Sequence, residues 1–388
     1  MRRRIFEDEH DLFRESVRAF VSRELVPCAE EFRSQRRIPR SVWIAAGAEG
    51  LLGLDVPERY GGAGVEDLRF NVVLCEELAR AGLGFASSIG IQVDVVAPYL
   101  TSLATEQQRE RWLPGFCSGE LVTAIGMTEP DAGSDLAALK TRAERRGSGW
   151  VLNGSKTFIT NGASADLVVL AARTGGDRQA ITLFAVETGS PGYAVGQKLA
   201  KVGQHEVDTA EIWFSEIELT DENVIGEIDR GFEHMLANLP RERLHTAYVN
   251  LAHAEAVLEL TIDYVKTRHA FGRPIGTFQN SRFALAEAST LLDVARTHVD
   301  RCIDEARRSE LSNVDSAKAK WWASDVQNRI IDTCVQLHGG YGYMEEYAVA
   351  RAWADARVTK IWAGSNEIMK EIIGRSLGLG DPRPQVSS

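Results

Sequence analysis

The chain has 388 residues, 44% of them hydrophobic and 26% charged, which is the balance of a globular protein with roughly two to three domains. Its formal net charge of −11 argues against nucleic acid as a partner, because a phosphate backbone attracts a basic surface. The five cysteines are scattered and form no CxxC pair, so neither a disulfide framework nor a zinc site is predicted, and a reducing, cytoplasmic location fits best. No uninterrupted apolar run reaches the roughly 18 residues that a membrane span requires.

The first third of the chain has helical periodicity. Apolar residues recur at three- and four-residue steps over residues 13–21, and a second helical pattern covers residues 72–80. The glycine-rich stretch 59–64 between them predicts a loop. These patterns predict an N-terminal all-α domain over residues 1–119.

The pattern changes to β near residue 120. Two short strands around an Asn153-Gly154 turn are predicted within residues 150–162, where a second Asn-Gly pair closes the segment. Further β-type runs follow at residues 167–171, 181–186 and 211–217. Their spacing predicts a small antiparallel barrel or sandwich as a middle domain over residues 120–226.

Helical periodicity returns near Gly231 and continues to about residue 377, with glycine-rich corners at 271–272 and 338–340. This predicts a C-terminal domain like a four-helix bundle over residues 227–388, and a frayed tail after Gly380. The expected fold class is therefore α+β, in the order helical, β, helical. The dinucleotide-binding GxGxxG motif is missing from the sequence, so a Rossmann fold is not expected.

Five sequence motifs carry the functional signal. The first, TEPDAGSD at residues 128–135, combines hydroxyls, turn residues and a glycine, and such a loop can present backbone N–H groups to a flat polar ring or a phosphate. Taken alone, it is equally well explained as a capped loop between domains. The other motifs are NGSKTFITNG at 153–162, RHAFG at 268–272, QLHGG at 336–340 and GSNEI at 364–368.

In this order and spacing, the five motifs resemble those of the acyl-CoA dehydrogenase family, and the likeness covers about residues 6–377. The run ending in NEIMKE is most similar to the long-chain members. The resemblance implies FAD-dependent oxidation of a fatty acyl-CoA, of medium to long chain, to its trans-2-enoyl form. In that reaction a carboxylate removes the α-proton while hydride passes from the β-carbon to flavin N5.

The resemblance also implies which residues hold FAD. Residues 125–134 resemble the loop around the flavin ring and pyrophosphate, Phe158 stands where an aromatic ring faces the flavin, and Thr160 stands where a hydroxyl bonds N5. Residues of the RHAFG and QLHGG motifs resemble those that reach FAD from a neighbouring subunit, which implies a homo-oligomer, a dimer of dimers. The full predicted set is Ile125, Met127, Thr128, Gly133, Ser134, Phe158, Ile159, Thr160, Arg268, Phe271, Gln279, Gln336, Leu337, His338, Gly339, Gly340, Ser365, Asn366 and Glu367. Without the family context, Phe158 would be an ordinary core aromatic and Arg268 a solvated charge at a helix end.

The catalytic base departs from the common family pattern. Most members carry a glutamate between an aromatic residue and Gly-Thr or Gly-Ser, and here that position is Ala363, whose methyl group cannot abstract a proton. The long-chain and isovaleryl members carry the base within an ERL sequence, which this chain has at residues 242–244. Glu242 is therefore the predicted base, against the alternative of a surface glutamate paired with its flanking arginines. Glu367 is the second candidate.

The predicted substrate contacts are Ser134, Arg243, Trp362, Ala363 and Gly364. The backbone N–H of Ala363 is expected to donate to the thioester carbonyl. A long acyl chain is expected to raise the pKa of Glu242 by desolvation, whereas the charge of Arg243 is expected to keep Glu242 ionised until the ligand binds. The eight histidines show no metal-binding spacing, so no metal site is predicted.

Three alternatives stay open. Some relatives act on acyl groups tethered to carrier proteins, and others that lack the usual glutamate use reduced flavin to activate oxygen. The third, of another class, is a flavin- or CoA-binding protein without turnover. The resemblance implies an electron-transferring flavoprotein as the electron acceptor, while the acyl chain length depends on the depth of a pocket that one sequence does not give.

Overall fold

The computed structural model describes residues 3–380, and the predicted frayed tail lies outside them. The N-terminal part is helical, as expected. Its helices are α1 (Asp8–Phe20), α2 (Ala29–Gln35), α3 (Arg40–Ala48), α4 (Leu68–Ala81), α5 (Leu83–Gly90) and α6 (Glu106–Ser118). π-helical turns at Val21–Leu25, Ile91–Val96 and Tyr99–Leu103 extend α1 and α5, and short 3₁₀ turns lie at Val26–Cys28 and Glu58–Tyr60.

One stretch of the N-terminal part, Leu83–Leu103, is long and apolar enough to cross a bilayer by length and composition alone. Its most apolar window has a mean hydropathy of 1.3, yet 94% of that window is buried inside the protein. Such burial is typical of a core helix, because a membrane span would present its apolar side chains to lipid. The absence of a membrane span stays a prediction.

The middle part is a sheet of eight strands among the described residues. They are β1 (Thr123–Gly126), β2 (Arg142–Arg146), β3 (Gly149–Thr160), β4 (Leu167–Arg173), β5 (Ile181–Glu187), β6 (Tyr193–Lys198), β7 (Thr209–Leu219) and β8 (Val224–Ile225). The order is β6-β7-β3-β2-β4-β5-β8, with β1 paired to β4. The prediction of a purely antiparallel domain is wrong in one respect, because β1 and β2 both pair parallel with β4.

The predicted Asn153-Gly154 turn is also wrong. Residues 149–160 form the single strand β3, and the hairpin turn lies six residues earlier, at Gly147-Ser148, between β2 and β3. Gly154 instead marks a register shift against β7, and the Asn153 side chain bonds Glu216 on that strand. The sheet thus uses the Asn-Gly pair as a bulge, since pairing with β7 extends past it on both sides.

The strand β4 buries both of its faces, because the sheet lies between two apolar clusters. Its odd positions, such as Leu167 and Val169, pack in one apolar cluster with α6, while its even positions, such as Val168 and Leu170, pack in a second cluster among the strands. A strand that buries both faces reads as a continuous apolar run rather than an alternating one. The middle sheet is therefore a wall between two cores, and its ends hold the loops described below.

The C-terminal part is helical again. It contains α7 (Gly231–Thr267), α8 (Gln279–Arg307), α9 (Asn313–His338), α10 (Ala348–Ala356) and α11 (Asn366–Ser376), with a small hairpin of β9 (His269–Ala270) and β10 (Arg273–Pro274). Further 3₁₀ turns lie at Leu136–Ala138, Asp221–Asn223, Ile275–Thr277, Gly339–Tyr343 and Arg357–Lys360. The two predicted corners are confirmed, and a third, at Ser309 between α8 and α9, has no glycine to reveal it.

The helix α7 joins the parts of the molecule. Leu244, Leu251 and Leu258, which the periodicity predicts on one face, are buried in a core shared with α4 and α9. The N-terminal half of α7 also reaches the sheet through Met235, which packs in the cluster of α6 and β4. Because the same helix contacts all three parts, side chains on its remaining face lie where the parts meet.

Candidate active site

A cavity of about 530 Å³ lies at this junction. Its walls come from the sheet, from the segment after α5, from α7 and from the loop before α11. Many of the predicted site residues line this cavity. They are Ile125, Met127, Thr128, Gly133, Ser134, Phe158, Ile159, Thr160, Glu242, Arg243, Trp362, Ala363 and Gly364.

Phe158 is displayed at the cavity rather than packed in a core. Its side chain is 67% exposed, which excludes the alternative of an ordinary core aromatic. Its φ of 60° is uncommon for a bulky residue, and the register of β3 against β7 shifts between Lys156 and Ile159. The bulge therefore turns an aromatic ring out of the sheet and into the cavity.

A buried ion pair fixes the loop beside Phe158. The ammonium of Lys156 lies 2.8 Å from Glu129 Oε1, and both side chains are buried. The same ammonium donates to the carbonyl of Met127 at 3.2 Å, while the backbone N–H of Thr141 donates to Glu129 at 2.9 Å. Burial lowers the pKa of Lys156 to about 8, opposed by the charge of Glu129. The pair clamps the TEPDAGSD loop onto β3.

Glu242 is buried in the cavity wall without a salt bridge to either flanking arginine. Its Oε1 accepts a hydrogen bond from the Tyr99 hydroxyl at 3.1 Å. Burial raises the pKa of Glu242 to about 7, although the Tyr99 hydrogen bond and the charge of Arg243 act to lower it. The charge of Arg243 acts in the expected direction, towards the ionised form, and its effect on the ionisation of Glu242 stays a prediction.

The neighbouring arginines are held by other partners. Arg241 bonds Asp55 at 3.0 Å and Asp94 at 3.2 Å, and Arg243 bonds the side chain of Asn313. The alternative of a surface glutamate paired with these arginines is therefore excluded. Glu242 is left with one neutral donor, which is how a carboxyl group keeps a raised pKa in a protein.

The loop before α11 forms another wall of the cavity. Ala363 has a φ of 50°, and among the described residues its backbone N–H has no hydrogen-bond partner. The buried ammonium of Lys320 donates to the carbonyl of Gly364 at 2.6 Å and to Asn366 at 3.2 Å. The unpaired backbone N–H of Ala363 thus belongs to a cavity-lining loop that is fixed by Lys320.

A second group of predicted residues surrounds a separate groove of about 480 Å³. Arg268 lies at this groove, with its guanidinium 5.2 Å from the ring centre of Tyr341, and Tyr264 stacks on His338 at 4.0 Å. The lining includes Gln336, Leu337, His338, Gly339 and Gly340. None of the described residues lines both the groove and the cavity.

Five predicted residues line neither space. Phe271 is 95% exposed and Gln279 is exposed at the start of α8. Ser365 caps α11 by accepting from the Ile368 N–H, and Asn366 is buried against Lys320 and Ser324. The side chain of Glu367 is exposed in the first turn of α11, which weakens its case as the base.

Sequence reasoning missed three functional contributors. Tyr99 lies 143 positions before Glu242, Lys156 lies in a bulged strand where the alternation of buried positions fails, and Lys320 is one of several polar residues in α9. Only Lys156 carried a usable signal, since it is part of the NGSK motif. The other two become recognisable only when the helices pack.

Comparison with known proteins identifies the class. Models of the acyl-CoA dehydrogenase N-terminal, middle and C-terminal domains match residues 7–120, 124–217 and 229–378. The chain belongs to the acyl-CoA dehydrogenase family, and it is a flavoprotein oxidoreductase that uses FAD and acts on acyl-CoA.

Individual relatives agree over nearly the whole chain. The mitochondrial long-chain specific acyl-CoA dehydrogenase of Rattus norvegicus is 43% identical over 97% of this chain and 88% of that protein. The crystal structure of acyl-CoA dehydrogenase from Geobacillus kaustophilus is 43% identical, covers 97% of this chain and 100% of that chain, and superposes with a TM-score of 0.94. The acyl-CoA dehydrogenase of Bacillus anthracis complexed with FAD is 29% identical over 96% of this chain and 67% of that chain, with a TM-score of 0.90.

The cavity fits a planar cofactor. Phe158 presents an aromatic ring to the open space, and the indole Nε1 of Trp362 is buried without a partner among the described residues. A buried donor left unbonded is costly unless a ligand pairs with it, and an exposed aromatic ring offers a flat surface for a planar ligand. These residues and the clamped loop would hold the flavin ring.

The clamp yields a stability prediction. We expect Glu129→Gln to destabilise the protein by about 3–5 kcal/mol, because it leaves the ammonium of Lys156 buried without its counter-ion. We expect Asp131→Asn, in the same loop, to have little effect, since its partner Lys140 is exposed. Urea denaturation of both variants measures the difference, and equal stability of the two would contradict the clamp.

Proposed function

We propose that the protein oxidises a medium- to long-chain fatty acyl-CoA to the trans-2-enoyl form, with Glu242 as the base that removes the α-proton. The observation that carries this proposal is the buried carboxyl group of Glu242 in the cavity wall, with a pKa of about 7. A general base works best when its pKa lies near the working pH, because it is then both available and basic. The absence of a carboxylate at Ala363 supports the same choice.

Each wall of the cavity has a separate task. The N–H of Ala363, which is free within the described residues, would donate to the thioester carbonyl and stabilise the charge that develops there. Apolar residues of α7 and of the segment after α5 would exclude water around the acyl chain: Ile91, Val95, Phe232, Leu236, Leu239 and Val249. FAD, when bound, supplies an acceptor for the hydride that leaves the β-carbon.

The two groups of cofactor residues support a shared site. Arg268 and the residues of its groove lie apart from the cavity within one chain, so they would reach FAD only in a neighbouring subunit. We therefore propose a homo-oligomer, arranged as a dimer of dimers. An electron-transferring flavoprotein is the proposed electron acceptor, and a cytoplasmic location, which cell fractionation can test, agrees with the five free cysteines.

The decisive test is Glu242→Gln. We expect the wild-type protein to lose its oxidised-flavin absorbance when mixed without oxygen with saturated acyl-CoA, and the variant to do so roughly 10²–10⁴-fold more slowly, since it lacks the base. The control is Glu233→Gln, an exposed glutamate on the same helix. FAD content is measured in all three proteins.

The outcomes separate the alternatives. Normal bleaching by the Gln variant would show that the base lies elsewhere. A yellow wild-type protein that no acyl-CoA bleaches would favour a carrier-bound substrate or oxygen activation, and assays with those substrates would follow. A protein inactive with all of them would be a binding protein.

The hydrogen bond from Tyr99 yields a pH prediction. Tyr99→Phe removes a donor that favours the ionised carboxylate, so the pKa of Glu242 should rise by about one unit, from a hydrogen bond worth ~1.5 kcal/mol. Because the carboxylate is the active form, the rising limb of the rate against pH should move to higher pH. Tyr60→Phe, which removes a hydroxyl bonded to the distant Glu106, is the control. If the rising limb does not move, Tyr99 does not influence the pKa of the base.

The shared site yields a prediction of assembly. The FAD-loaded protein should sediment as at least a dimer, and Arg268→Met should lose FAD more readily than wild type because a cationic partner of the phosphates is gone. Lys266→Met, which removes an exposed cation two positions away, should retain FAD as wild type does. A monomer that retains FAD would contradict the shared site.

A further inference from the structure

The cavity wall contains a histidine in addition to the predicted site residues. His245 lies one turn beyond Glu242 on α7, lines the cavity and is 8% exposed. Its Nδ1 lies 2.8 Å from Asp94 Oδ2 and 3.0 Å from the Tyr248 hydroxyl. The proposed dehydrogenation, as described above, gives this histidine no task.

Asp94 fixes the orientation of the imidazole ring. Asp94 is fully buried, and although burial acts to raise its pKa, the hydrogen bond and charge of His245, followed by the charge of Arg241, hold the pKa well below its usual range. An ionised carboxylate only accepts hydrogen bonds, so the proton between the two groups sits on Nδ1. The Nε2 edge is therefore the free one, and it has no hydrogen-bond partner among the described residues.

The Nε2 edge of the ring packs closely against Gly90. A Cβ at Gly90 would lie 2.4 Å from Cε1 and 2.6 Å from Nε2 of His245, so only glycine admits the ring at this place. Ser87 and Ile91, on either side of Gly90, both line the cavity. His245 lines the cavity beside these two residues, and its Nε2 is not among the described polar atoms that are fully buried without a partner, so part of this nitrogen is accessible to a ligand.

A metal ion is not the ligand that this arrangement suits. The ligand atoms of Cys75, Asp94 and His245 lie within 4.8 Å of one another. However, Asp94 already accepts from Arg241 at 3.2 Å and from the Tyr248 hydroxyl. A guanidinium in that position repels a cation, and the carboxylate is occupied.

The neighbouring hydroxyls indicate the kind of group that fits. Thr246 and Ser87 both line the cavity, and each uses its own proton inside the protein. Thr246 donates to the Glu242 carbonyl at 3.1 Å, and Ser87 has two internal acceptors, Gln204 Oε1 at 2.8 Å and the Gly84 carbonyl at 2.9 Å. Both oxygens can therefore only accept from a ligand. A ligand carbonyl or carboxylate offers no proton to them, whereas a ligand hydroxyl can donate to these oxygens and can pair with Nε2 in either protonation state of the ring.

We propose that His245, oriented by Asp94, is a specificity-determining residue that binds a hydroxyl group on the acyl chain of the substrate. The inference rests on the proposed function, because Glu242 must face the α-carbon for His245 to lie farther along the chain. Three residues of α7 separate them, about 4.5 Å along the helix axis, so the hydroxyl sits beyond the β-carbon. A plain hydrocarbon chain would cover Nε2 without pairing it, which weakens its binding.

The first experiment needs no variant. The FAD-loaded wild-type protein is mixed without oxygen with pairs of acyl-CoAs of equal length, one plain and one with a hydroxyl moved stepwise along the chain beyond the β-carbon. At one position we expect the ratio of bleaching rate to half-saturating concentration to be roughly tenfold higher for the hydroxylated compound. If no hydroxylated compound exceeds its plain partner, the inference is overturned.

The second experiment assigns the preference to the residue. His245→Leu should bring the ratio between the two compounds close to one. His253→Leu is the matched control, because His253 is an equally buried histidine on α7 that bonds Gln327 instead of facing the cavity, and it should keep the wild-type ratio. A His245→Leu protein that keeps the wild-type ratio would overturn the assignment.

Two outcomes distinguish this inference from the proposed function. If plain acyl-CoA bleaches the flavin and the hydroxyl confers no advantage, the dehydrogenase proposal stands and the hydroxyl subsite falls. If neither compound of any pair bleaches the flavin, both fall. Should His245→Leu fail to fold, His245→Met is used, because its flexible side chain fills irregular space and carries no nitrogen that can pair with the hydroxyl, so it should likewise abolish the preference.

Discussion

The cavity depends on keeping one carboxyl group buried and free of ionic partners. An arginine precedes and an arginine follows Glu242 in sequence, and either could have neutralised it. The fold directs Arg241 into Asp55 and Asp94, and Arg243 to Asn313. Glu242 is thus buried with no ionic partner, and burial keeps its pKa at about 7, a value that suits proton transfer.

Buried polar contacts behind the cavity fix two of the loops that form its walls. Lys156 fixes the loop on the sheet side and Lys320 fixes the loop before α11, each through a backbone carbonyl. An ammonium has three donors and can tie backbone carbonyls and side chains from separate segments together at one point. Surface loops are ordinarily mobile. These two lysines hold their loops in one defined position in the cavity wall.

The features of the fold that depend on local sequence could be predicted. The order of helical and β parts and the corners at Phe271-Gly272 and Gly339 followed from periodicity and glycines, whereas the choice of Glu242 over Ala363 came from the family resemblance and stays a proposal. The predicted turn at Asn153-Gly154 was wrong because pairing of β3 with β7 outweighed the local turn preference. Tyr99, the diverted arginines and the pKa of Glu242 depend on contacts between residues far apart in sequence, which no local pattern encodes.

The continuous helix α7 sets a limit on how the chain can change. From Glu242 to its last residue, Thr267, it rises about 38 Å, and it carries the proposed base near one end and leads into Arg268 at the other. Inserting or deleting one residue between them would turn everything beyond by about 100°. Glu242 would then face a core, or Arg268 would leave its groove. The length of α7 therefore fixes the distance between the base of one proposed site and the arginine that would contribute to the site of a neighbouring subunit.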